Sequence, residues 1–173
     1  MRKKFSEILR LALENKHIKP NVGSSSAHAK DKNYFYITDK EDIDGTDNKI
    51  RIHKIDMEKD FFEVNVDTKN SLNEDIEYHG NLMVKSYTKD YSVLHFYPKN
   101  TIKFMKNNKL TDINKFHKTN LKINDDLDYT TSDLEIVGLG SDGVIVKSND
   151  LKKGYDTVKE IEKLCKDILA NKN

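Results

Sequence analysis

Apolar residues recur along this chain with two periods, and the switches between them mark out the elements. Phe5, Ile8, Leu9 and Ala12 fall at helical spacing, with Leu11 and Leu13 widening the stripe and Pro20 closing the region, so a first amphipathic helix is expected. The small and polar run Asn21 to His28 reads as a loop. Tyr34 to Thr38 is aromatic and β-branched, hence a strand, and Ile50 to Ile55 and Phe61 to Val66 alternate after acidic turns at Asp42 to Asp47 and Asp56 to Asp60. These runs predict a β-meander. Ser71 to Glu74 matches a capping box, and Leu72, Ile76, Met83 and Tyr87 share one face of a helix expected from about Leu72 to Tyr87.

The stretch Tyr91-Ser92-Val93-Leu94-His95-Phe96-Tyr97-Pro98 comes next and reads as a buried strand that proline stops. Alternation puts Tyr91, Val93, His95 and Tyr97 on one face and Ser92, Leu94 and Phe96 on the other, so an imidazole and a phenol point the same way at the strand end. Thr101 to Asn107 suggests a short helix, and residues 108–132 receive no assignment. Leu134 to Leu139 and Val144 to Val146 flank a turn at Gly140-Ser141-Asp142-Gly143, whose Asp-Gly pair predicts a hairpin. Asp150 then caps a last helix carrying Leu151, Tyr155, Val158, Ile161, Leu164, Cys165 and Ile168 towards the core. With no repeat or linker in sight, residues 1–173 read as one α/β domain.

Composition narrows the function classes. Of 173 residues, 36% are hydrophobic, enough for a core without metal or disulfide support. Lys plus Arg number 30 against 29 Asp plus Glu, interspersed, so no broad field favours a nucleic acid or an anionic membrane. The lone Cys165 has no disulfide partner within the chain and fits a buried helical position, which points to a reducing cytoplasm. Glu7, Arg10 and Glu14 interrupt what would be a signal-peptide core, and no apolar run approaches a membrane span. A soluble, cytoplasmic protein is expected.

Asp142-Gly143-Val144-Ile145-Val146-Lys147-Ser148-Asn149-Asp150-Leu151, with Tyr155 and Ile161-Glu162-Lys163-Leu164 after it, looks like an "Asn-His-Gly, apolar strand, Gly, Leu-Glu-Glu-Ala helix" ending. Ser92 to Pro98 resembles a "Val-Val-His-x-His-Ser" strand, and Gly23 to Ser26 with Tyr34 to Thr38 is similar to "Ser-Gly-Asn-x-Ser … Ile-Thr-Pro-Ser-Gly". In this order the chain resembles the class II aldolase/adducin family. The resemblance implies a three-layer α/β/α sandwich with a central, largely antiparallel sheet, assembled as a cyclic homotetramer. It further implies zinc or another divalent metal held by three histidines, an acidic residue that moves a proton beside a sugar-phosphate carbonyl, and, in an adducin-like branch, the same fold used as a protein-interaction module.

Position by position, the resemblance assigns the three metal positions to His95, Tyr97 and Asp142, so one imidazole is kept. The catalytic acid corresponds to Asp75, with His79 on the same helix face, or to Glu74. The phosphate loop corresponds to Ser24, Ser25, Ser26 and Thr38, but Asp39-Lys40-Glu41 follows where Pro-Ser-Gly is expected, and two carboxylates there oppose a phosphate.

Each candidate also has a plain reading. His95 can be a hydrogen-bonded histidine beside Tyr97, Asp142 a turn residue, Asp75 and His79 a surface ion pair, and the serines an ordinary turn. His17, His28, His53 and His117 read as solvent-exposed, Cys165 as packing, and the lysine-rich segments 99–109 and 115–122 as solvated faces. The expected function is a diverged aldolase-like protein without the usual zinc-dependent sugar-phosphate lyase chemistry. The alternatives are a metal-dependent aldolase or epimerase with altered ligands, and an adducin-like interaction module.

Overall fold

Two apolar clusters lie on opposite faces of one sheet, and strand alternation assigns residues to them. Leu94, Phe96, Val144 and Val146 join one cluster, while Tyr91, Val93 and Ile145 join the other. The computed structural model describes residues 1–18, 24–38, 51–65 and 75–172. Among these, β1 is Ser26–His28, β2 Tyr34–Thr38, β3 Ile52–Met57, β4 Phe62–Glu63, β5 Tyr91–Phe96, β6 Ile123–Asn124, β7 Leu134–Gly138 and β8 Val144–Ser148. They form one eight-stranded sheet in the order β4-β3-β2-β1-β5-β8-β7-β6. Every neighbouring pair is antiparallel except β6 with β7, so the expected α/β class with a mostly antiparallel sheet is observed.

The helices are α1 (Arg2–Glu14), α2 (Asp75–Lys85), α3 (Lys99–Met105) and α4 (Leu151–Asn171). The α1 stripe Phe5, Ile8, Leu9 and Ala12 is buried with α3 and α4 against one sheet face, whereas α2 buries Ile76, Leu82 and Met83 against the other. Asp150 caps α4 as the sequence implied, its carboxylate accepting from the Lys153 N–H at 2.9 Å. Cys165 is fully buried in α4, and burial pushes its thiol up to about 12, which fits the packing role. Among the described residues no helix is long and apolar enough to cross a membrane.

Several local expectations change. Ser26–His28, read as loop, is a central strand between β2 and β5, because its polar side chains find buried partners. His28 is fully buried, its two ring nitrogens 3.0 and 3.1 Å from the main-chain oxygens of Tyr34 and Tyr87, and not exposed. The short helix begins at Lys99, two residues earlier than expected. Residues 108–132 contain a 3-10 helix at Leu110–Lys115 and the edge strand β6. The Ser71 to Glu74 capping box and the Asp42 to Asp47 turn lie outside the described residues.

His17 is half-buried instead of solvated: its Nδ1 lies 3.1 Å from the Tyr155 hydroxyl, and its carbonyl accepts from the Tyr97 N–H at 2.6 Å. Burial holds the imidazole below its ordinary value, with Lys159 acting in the same direction and Glu162 against it. The unfolded chain therefore binds this proton more readily. The resulting stability is present above the unfolded histidine value, about 6.5, and is lost as pH falls below it. Unfolding free energy measured between pH 5 and 7.5 should slope upward more steeply in the wild type than in His17→Asn; equal slopes would remove His17 from the account.

Candidate functional site

The site is organised by the end of β5 and by a glycine in the β7–β8 connection. That connection, expected as a turn at residues 140–143, is a 3-10 turn, Gly140–Asp142, closed by a Leu139 N–H to Gly143 carbonyl bond of 2.8 Å. Gly143 has φ +84°, and a Cβ there would sit 2.2 Å from the Phe96 carbonyl oxygen. Only glycine lets the loop lie this close to β5. The loop thereby delivers the Asp142 main-chain oxygen to within 2.6 Å of His95 Nε2. A carbonyl oxygen only accepts, so Nε2 carries the proton.

The imidazole of His95 stacks on the Tyr97 ring at a centroid distance of 4.8 Å and 25° between planes, so the two rings share a face as alternation required. Tyr97 is 4% exposed. Burial, then the carboxylates of Asp142 and Asp75, push its phenol above the ordinary tyrosine value, which keeps it protonated. The same effect places Asp75, the first residue of α2, and Asp142, from the far hairpin, in the electrostatic surroundings of one hydroxyl. His95, Tyr97 and the Asp142 main chain are thus in contact, and the Asp75 charge acts on the Tyr97 phenol.

His79 is buried and not at the surface. It is 2% exposed, one helical turn inside α2 from Asp75, with Nδ1 2.6 Å from Ser26 Oγ, and this contact ties α2 to β1. Glu74 lies outside the described residues. The four residues assigned to a phosphate loop are all buried, and three have structural partners. Ser25 Oγ accepts from the His95 N–H at 3.0 Å, the Ser25 N–H donates to Thr38 Oγ1 at 2.9 Å, and Ser26 meets His79. Ser24 Oγ is buried with no hydrogen-bond partner among the described residues, which leaves an unmet polar demand beside this cluster.

A tetrahedral zinc site needs three protein donors, each presenting a lone pair to one point. Among the described residues no group of three His, Cys, Asp or Glu side chains is placed to hold a metal ion. With the proton on Nε2, His95 has only Nδ1 to offer a metal, and the protonated Tyr97 phenol is a poor ligand. These residues do not fit the zinc triad. A groove lined by Lys4, Ile8, Tyr155 and Lys159 lies between α1 and α4, near Tyr91 and so at the opposite end of β5 from His95.

Sequence reading missed a second polar centre on this sheet face. Lys147 and Glu135 are directly opposed in β8 and β7 and both fully buried, with Nζ 2.8 Å from Glu135 Oε2 and 2.6 Å from Asp128 Oδ1. The available signal was a single opposite-charge pair at matching hairpin positions inside apolar strands.

No family model and no curated protein matches the sequence. A crystal structure of a sugar-phosphate aldolase from Thermotoga maritima matches with a TM-score of 0.63 over 98% of this chain and 95% of that one, at 14% identity. The chain has an aldolase-like fold. At that identity the likeness concerns the fold alone, and a shared fold does not fix the chemistry it carries.

Proposed function

We propose that this chain is a diverged class II aldolase-like protein, a single three-layer α/β/α domain that assembles as a homo-oligomer in the cytoplasm. Its site at the end of β5 holds a small polar molecule and does not carry zinc-dependent sugar-phosphate cleavage. The observation that carries this reading is the His95 Nε2 to Asp142 carbonyl hydrogen bond of 2.6 Å. It leaves the surviving imidazole of the implied metal triad only Nδ1 as a nitrogen that could offer a lone pair. The aldolase-like fold supports the frame, and the internal partners of Ser25, Ser26 and Thr38 support the loss of the phosphate loop.

The test is metal content of protein purified with zinc supplied, alongside turnover of a panel of sugar phosphates. Sub-stoichiometric zinc, unchanged by His95→Ala, is expected. Stoichiometric zinc that vanishes in His95→Ala would sink the reading. A second reading, a metal-dependent lyase or epimerase using His95, Asp142 and Asp75 or Glu74, is favoured by one observation: the Asp75 and Asp142 carboxylates act on the same phenol. Turnover by the panel with added divalent metal would select it.

A further inference from the structure

The strands β6 and β7 are adjacent and parallel, so the chain between them must leave the sheet and return. Parallel neighbours usually make that journey through a helix of a dozen or more residues. Here the crossover is residues 125–133, without a helix, and it passes over the face that carries α2. Tyr129 packs on Tyr78 of α2 at a ring distance of 5.4 Å, and its carbonyl accepts from Lys85 Nζ at 2.9 Å.

What fastens this crossover is almost entirely polar. None of residues 125–133 belongs to either apolar cluster, and Leu127 and Tyr129 are 45% and 50% exposed. Lys147 Nζ holds the segment from beneath, donating to Asp128 Oδ1 at 2.6 Å and to the Thr130 carbonyl at 3.1 Å while also bound to Glu135. The Ser132 N–H donates to the Tyr91 hydroxyl at 3.2 Å. Under the segment lies the Tyr78 hydroxyl, a buried group with no hydrogen-bond partner among the described residues. Burial and then the neighbouring Tyr91, Asp128, Glu135 and Tyr129 raise its phenol, which locates that hydroxyl within the same polar chamber.

Segments lacking buried apolar contacts open locally at a free energy well below that of the whole domain. The geometry points to residues 126–132 as a strap that opens independently of the sheet, with Lys147 as its latch, admitting water and small polar solutes to the Lys147–Glu135 pair. The latch is asymmetric. The Lys147–Glu135 contact stays within the hairpin when the strap lifts, whereas the Asp128 and Thr130 contacts must break.

Native-state hydrogen exchange reads this directly, with the Ser132 amide reporting the strap and the ladder amides of β7 and β8 reporting the sheet. In the wild type Ser132 should exchange through an opening independent of denaturant, well before the ladder amides. Asp128→Ala removes the exposed half of the latch and leaves Lys147 paired with Glu135. It should raise Ser132 exchange, and chymotryptic cleavage after Leu127 and Tyr129, by roughly tenfold or more, the effect of losing a charged hydrogen bond, while the ladder amides hold. Exchange of Ser132 only together with the ladder in the wild type would overturn the proposal. So would Asp128→Ala rates that are unchanged or raised equally in strap and ladder.

Discussion

Replacing Lys147 with alanine is expected to cost about 3–5 kcal/mol of folding stability, the largest effect of any substitution considered for this chain. The reason is what stays behind. Lys147 and Glu135 are both fully buried, and the ammonium satisfies its three N–H groups with Glu135, Asp128 and the Thr130 carbonyl. Burial by itself would raise the Glu135 carboxyl, but the hydrogen bond and charge of Lys147 outweigh it and hold the group below its ordinary value. Without the lysine, Glu135 keeps Ser132, Asn124 and the half-exposed Lys122 as partners, but no buried cation. Removing both charges is a different experiment, because no orphan remains. Lys147→Met with Glu135→Leu should recover most of the loss, as buried ion pairs replaced by apolar groups of similar size are often neutral or better. Urea denaturation of the two single variants and the double variant measures this. A Lys147→Ala cost under about 1 kcal/mol would contradict the burial argument.

The second large effect belongs to Glu162 on α4. Its carboxylate sits at the start of α3 and accepts four hydrogen bonds: from the Asn100 N–H at 2.9 Å and Nδ2 at 2.7 Å, and from the Thr101 N–H and Oγ1, both at 2.8 Å. The first N–H groups of a helix have no partner inside it, and the helix dipole favours an anion there. Pro98 at the N-cap offers no side-chain bond of its own, so α4 does the capping for α3. Glu162→Ala should therefore cost about 2–3 kcal/mol, the range for hydrogen bonds to a charged group, and Glu162→Gln, which keeps one accepting oxygen, roughly half of that. Equilibrium denaturation of both variants tests the order. Equal costs would mean that the whole effect lies in the charge both variants lose, and that the oxygen glutamine keeps contributes nothing.

Much of the frame is visible in local pattern. The stripes of α1 and α4, the alternation that sets His95 beside Tyr97, and the Asp150 cap depend on residues within a turn or two of one another, and periodicity reports them. Of the site, local pattern set His95 beside Tyr97 at the strand end, and the Asp142 main chain meets that imidazole. What escaped depends on distant partners. Ser26–His28 forms a strand because β2 and β5 flank it and His79 meets Ser26 from α2, and composition alone makes such a segment look like loop. Glu162 acts across 62 positions of sequence on Asn100, and Lys147 gains its partners only once the hairpin closes and the crossover returns. Burial of His17 and His28 escaped for the same reason: their neighbours come from Tyr155, Tyr34 and Tyr87.

The His95 imidazole is held by the β7–β8 loop through its Nε2 proton and is expected not to take up zinc. Long-range nitrogen NMR of the His95 side chain, with and without one equivalent of zinc, tests it most directly. The account predicts an Nε2-protonated ring whose signals do not move when zinc is added. A zinc-induced shift of either ring nitrogen at one equivalent, with the Nε2 proton kept or lost, would contradict this and restore the metal-dependent reading of the site.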